Sequence, residues 1–167
     1  MATKTASTRT FTTSVGVPTA DRAKVNRILN QHLADSFDLM SQVKQAHWNV
    51  KGSDFWQLHK LFDEVAERAA EWVDEFAERV TALGGYATGT VRMAVASSTL
   101  PEFPTEITES MDYVRAVAER LAAFTNSTRE AIDQADELGD AATADLFTEV
   151  TRCADKYLYF LEAHLQG

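Results

Sequence analysis

Residues 54–85 read DFWQLHKLFDEVAERAAEWVDEFAERVTALGG, and the periodicity of this stretch decides the fold. Leu58, Phe62, Val65, Ala69, Val73, Phe76, Val80 and Leu83 advance by threes and fours, which keeps them on one side of a helix. Gly84 and Gly85 then supply a C-terminal stop, so a long helix is predicted from about Asp54 to Leu83.

The same pattern extends in both directions. Upstream, Val25, Ile28, Leu29, His32, Leu33, Phe37, Met40, Val43 and Trp48 recur at helical spacing until Gly52 and Ser53, with Asp21 as the expected N-cap. Downstream, residues 86–104 form the longest connection, closed by Pro101 and Pro104, with a short helix expected around Val91 to Ala96. A third long helix is predicted from about Thr105 to Leu138 and a fourth from about Asp140 to Leu165, separated by Gly139. Four long helices, no strand-like alternation and no internal repeat give an all-α bundle whose halves are joined by a crossover. Residues 1–20, rich in Thr, Ser and Ala, lack helical periodicity and are expected to be a flexible tail ahead of a single domain over 21–167.

Composition narrows the function classes. At 167 residues the chain can bury a core without disulfides, and its one cysteine, Cys153, reads as a small buried hydrophobe. A single cysteine, no signal-type apolar stretch and no run near the ~20 apolar residues of a membrane span predict a cytoplasmic protein with no membrane partner. The net charge is −9, but residues 1–20 carry Lys4 and Arg9 with no acid, leaving 14 basic and 25 acidic side chains, a net −11, on the body. Such a body repels duplex phosphates and attracts cations, so metal handling is favoured over nucleic-acid binding.

Within the second helix, His59, Asp63, Asp74 and Glu78 are spaced by four, eleven and four residues. At about 100° per residue they fall near 0°, 40°, 60° and 100°, one stripe well away from the apolar one. Trp56, Ala66, Ala70 and Ala77 share that stripe, whereas Glu64, Arg68, Glu71 and Glu75 lie further round, so the ligand-bearing side reads as a second packing face between subunits. His59 and Glu78 are about 28 Å apart along the axis at ~1.5 Å per residue, so one helix cannot bring both to one ion. Both His59 with Glu78 and Asp63 with Asp74 are centred on the point between Arg68 and Ala69. An antiparallel two-fold crossing there places the His59/Asp63 pair of one chain beside the Asp74/Glu78 pair of another, giving two identical sites per dimer. His47, across the Gly52 break, can fold back toward His59. Two imidazoles and three carboxylates suit iron, with Zn²⁺ as a competing occupant. No Glu-x-x-His pair occurs, which disfavours a di-iron site inside one subunit.

At His47-Trp48-Asn49-Val50-Lys51-Gly52, Leu58-His59, Asp63, Asp74, Glu78, Leu83-Gly84-Gly85 and Ala144-Asp145-Leu146-Phe147 the chain strongly resembles the Dps family, the DNA-binding proteins from starved cells. That resemblance implies a ferritin-like four-helix bundle assembled as a homo-dodecamer, a mini-ferritin. It implies intersubunit ferroxidase centres built from His47, His59 and Asp63 of one chain with Asp74 and Glu78 of its two-fold mate. Fe²⁺ and H₂O₂ become the expected substrates, ferric oxide the stored product, and protection from oxidative stress the outcome. It also implies that Trp48 lies near the metals, either to intercept radicals or simply to pack, and that Asp140 and Asp145 border three-fold iron-entry pores. Asp140 has the alternative role of capping the fourth helix. Family members that bind DNA do so through tails carrying several basic residues. With only Lys4 and Arg9 here, DNA binding depends on avidity across many subunits and is weakly supported at physiological salt. His32 and His164 are expected to be structural, and Trp56 and Trp72 to pack in the core or an interface.

Overall fold

A computed structural model describes residues 9–166. It contains α1 (Thr19–Asn49), α2 (Phe55–Ala82), the short α3 (Val91–Ser97), α4 (Ser110–Glu137) and α5 (Ala141–Ala163), with no strand among the described residues. The chain is thus all-α, a four-helix bundle with a short helix in the long connection. α1 packs along α2 and α4 along α5, with α1 also against α4 and α2 against α5.

Two landmarks set the helix directions. Ser110, at the head of α4, lies against Gly52 in the α1–α2 turn, and Arg79 near the foot of α2 reaches Asp140 between α4 and α5. The connection from Gly84 to Ser110 therefore traverses the bundle lengthwise, so α2 and α4 run parallel. α1 and α5 run the other way.

Local chemistry explains the boundaries, two of which differ from expectation. α1 opens at Thr19 because the Pro18 carbonyl accepts hydrogen bonds from the backbone N–H groups of Asp21 and Arg22. Asp21 consequently sits in the first turn, where its charge faces the positive end of the helix dipole, and is not the cap. α4 starts at Ser110 and not near Thr105 because the segment before it is tied down as a strap. Gln42 Nε2 donates to the Pro101 carbonyl at 3.1 Å, buried Arg120 donates to that of Glu102, and the Tyr113 hydroxyl donates to that of Ile107 at 3.1 Å.

The expected tail also needs correction where it is described. Phe11 N–H donates to the Gly84 carbonyl at 2.8 Å and Thr13 Oγ1 to the Ala82 carbonyl at 3.1 Å, so residues 11–13 dock on the foot of α2. Gly84 is required there twice over: its φ is +75°, and a side chain on it would collide with the Phe11 carbonyl. Lys4 lies outside the described residues.

The core runs the length of the bundle. Trp72 stacks on Phe124 with centroids 5.3 Å apart, and Phe76 meets Phe147 at 5.2 Å. Burying each such ring stabilises the fold by about 1.5–3 kcal/mol. His32 shares this layer, its ring 4.8 Å from that of Phe147 and its Nδ1–H donating to the Ile28 carbonyl at 2.9 Å. Its Nε2 has no hydrogen-bond partner among the described residues, and burial pushes its pKa down.

Candidate metal centre

The turn at Gly52 brings the foot of α1 beside the head of α2, and this places His47 against His59. Their rings stack with centroids 3.7 Å apart and 21° between planes. His47 Nδ1 is 2.8 Å from the His59 carbonyl, and His59 Nδ1 is 2.9 Å from the His47 carbonyl. A carbonyl oxygen only accepts, so both Nδ1 atoms carry the proton and both Nε2 atoms keep a lone pair when neutral. A backbone carbonyl that accepts from one ring nitrogen in this way leaves the other nitrogen turned out to meet a metal ion. Phe55 closes one side, 4.9 Å from the His59 ring.

Asp63, one turn after His59 on α2, is the third candidate ligand beside this pair. Its Oδ1 is 3.9 Å from His47 Nδ1, too far for a hydrogen bond, and 2.6 Å from Lys44 Nζ. That hydrogen bond holds the Asp63 carboxyl below its usual pKa. Lys44 was missed in the sequence reading. Its only signal there is its place one turn before His47, on the same face of α1.

Asp74 and Glu78 stand apart from this group. Both are exposed, and neither has an ion-pair partner among the described residues. Among the described residues no three His, Cys, Asp or Glu side chains of one chain gather tightly enough to hold a metal ion. The structure thus brings His47, His59 and Asp63 together and leaves Asp74 and Glu78 further along the same helix. Trp48 and Trp56 flank the half-site with large exposed rings, 62% and 66% accessible, and Lys60 lies over Trp56 at 5.2 Å. Trp72, by contrast, is a core residue.

The two other acidic candidates separate. Asp140 is only 2% exposed and caps α5, accepting from Thr143 N–H at 3.1 Å, while Arg79 Nη2 donates to it at 2.7 Å. Thr143 Oγ1 engages its second oxygen at 2.6 Å. Both oxygens of Asp140 are thus engaged within the chain in the capping role that the sequence offered, whereas Asp145 is exposed. Cys153 is half-buried, less enclosed than expected.

A four-helix bundle with a long crossover between its halves is the architecture of a ferritin-like protein, and a model of the ferritin-like domain matches residues 26–167. The "DNA protection during starvation protein" of Agrobacterium fabrum is 41% identical over 158 residues, covering 95% of this chain and 98% of that relative. Among solved structures, DpsC from Streptomyces coelicolor superposes with a TM-score of 0.91 at 30% identity, covering 99% of this chain and 97% of that one. An archaeal Dps homologue from Halobacterium salinarum does so at 0.89 and 26% identity, over 99% and 93%. The chain belongs to the Dps family. No helix among the described residues is long and apolar enough to cross a membrane.

Proposed function

We propose that this protein is a ferroxidase and iron store whose metal centres form between two copies of the chain. The observation that carries this reading is the division of one ligand set into two halves on α2. His47, His59 and Asp63 are held at its head, and Asp74 and Glu78 lie toward its foot with no ion pair among the described residues. A two-fold crossing near Arg68 and Ala69 joins the halves twice per dimer. In a dodecameric shell built from such dimers, Fe²⁺ enters past Asp145, drawn by the acidic body.

At the centre the two free Nε2 atoms and the carboxylates bind Fe²⁺, and the hard oxygen ligands favour the ferric product. Each H₂O₂ accepts one electron from each of two Fe²⁺ ions and, with two protons, leaves as two waters. The resulting Fe³⁺ moves into the cavity and hydrolyses to an oxide. Consuming peroxide and Fe²⁺ together removes both reactants of hydroxyl-radical formation, so DNA is protected without being touched. Zn²⁺ suits the same donors and would act as an inhibitor.

The test is to load the assembled protein with Fe²⁺ anaerobically, inject H₂O₂ and follow ferric absorbance beside a His59→Ala, Asp74→Ala double variant. A fast, soluble ferric signal in the wild type alone is expected; coincident traces would overturn the proposal.

A further inference from the structure

A cleft of about 560 Å³ opens beside the foot of α2. Its walls come from the first half of α1, from residues 85–88 just after α2, from Ser97 at the end of α3 and from the docked segment at Arg9 and Thr10. Side-chain amides hold these walls together. Asn30 Nδ2 donates to the Tyr86 carbonyl at 3.3 Å and Asn30 Oδ1 accepts from the Thr88 backbone N–H at 2.9 Å, while Gln31 Nε2 donates to the Ser97 carbonyl at 2.8 Å. The cleft is therefore built by the fold and does not depend on a ligand to shape it.

Its charge is unlike that of the rest of the molecule. Arg9 and Arg27 line it and no Asp or Glu does, in a chain with 25 acidic side chains. Arg9 lies over the Phe11 ring at 4.9 Å, whereas Arg27 is exposed and makes no hydrogen bond or ion pair among the described residues. A guanidinium presents a planar fork of donors that matches a phosphate, and repulsion from carboxylates elsewhere is screened beyond a Debye length of about 8 Å. Tyr86 brings an accessible aromatic ring to the same cleft. Small-molecule sites measure about 300–1,000 Å³, so the volume suits one ligand of nucleotide size and is far too small for a duplex.

We infer that this cleft binds a small phosphorylated ligand that carries a flat ring, of the size of a nucleoside monophosphate, with its phosphate on Arg27 and its ring against Tyr86. None of the five candidate metal ligands lines the cleft, so the inference stands apart from the metal centre.

Calorimetric titration of the assembled, iron-free protein with AMP tests this, with adenosine, ribose 5-phosphate and inorganic phosphate as separate arms. AMP should saturate at one per subunit, and each of the three fragments should bind about 10-fold more weakly or worse. Arg27→Gln should weaken AMP by a similar factor, Arg27→Lys should recover part of the loss, and Tyr86→Ala should bind AMP no better than ribose 5-phosphate. Arg115→Gln, which alters an exposed arginine near the head of α4, should bind AMP as the wild type does. No saturable AMP binding by the wild type, an unchanged affinity in Arg27→Gln, or inorganic phosphate held as tightly as AMP would overturn the inference. Saturation by a DNA duplex with no response to AMP would overturn it in favour of a nucleic-acid surface.

Discussion

His47 and His59 hold each other in place: each Nδ1–H donates to the other's backbone carbonyl while the rings stack at 3.7 Å. The contact staples the foot of α1 to the head of α2 and fixes both tautomers, so one arrangement serves fold and chemistry. Both partners of the contact belong to one chain. Losing either imidazole leaves a carbonyl without its donor, costing about 1 kcal/mol in addition to the lost ligand.

Asp74→Ala should separate function from stability. The side chain is exposed and has no ion-pair partner among the described residues, so the unfolding free energy should change by no more than about 0.5 kcal/mol. Stopped-flow iron oxidation should slow at least 10-fold. Normal assembly with a wild-type rate would remove Asp74 from the centre.

Mixing two inactive variants provides a sharper check of the shared site. In a dimer of one His59→Ala chain and one Asp74→Ala chain, both lesions fall in one centre and the other is intact. Random pairing then restores about a quarter of the wild-type centres. Co-refolded mixtures should recover that fraction of ferroxidase activity, whereas a centre confined to one chain predicts none.

Acid should weaken the bundle through His32. Burial lowers its folded pKa below the unfolded 6.5, so between the two values the unfolded chain binds the extra proton. The contribution is therefore fully favourable above pH 6.5 and is lost progressively as pH falls below it. The slope from this one group cannot exceed about 1.4 kcal/mol per pH unit. Comparing urea midpoints at neutral and mildly acidic pH, His32→Leu should show a shallower decline than the wild type. Equal declines would show that the core histidine does not govern acid sensitivity.

Asp140 and Asp145 should behave oppositely. Asp140→Ala removes a cap and strands Arg79, which is 21% exposed at its side chain, so a loss of about 2–3 kcal/mol is expected by thermal or urea unfolding. Asp145→Ala should leave stability unchanged and slow the uptake of Fe²⁺ into the shell. An uptake rate that is indifferent to Asp145 would argue against an acidic entry route there.

The stripe from Leu58 to Leu83, the stops at Gly52, Gly84 and Gly139, and the shared centre of the His59/Glu78 and Asp63/Asp74 pairs are all properties of residues close in sequence. Backbone hydrogen bonding and side-chain periodicity act over a few residues, so these features follow from the order of amino acids alone. They determined an all-α bundle and placed four candidate ligands along one helix. The start of α4 did not follow, because the strap before it is held by Gln42, Arg120 and Tyr113 from distant helices. Nor did Asp140's partnership with Arg79, 61 residues away, or the docking of Phe11 on Gly84. Lys44 is the clearest case: its one signal in the sequence, a place one turn before His47, does not reveal its partner. It meets Asp63 only because the Gly52 turn folds α1 back along α2. Local order thus determined the helices and the spacing of the candidate ligands, while tertiary packing decided which charges are paired, since an ion pair depends on distance through space and not along the chain.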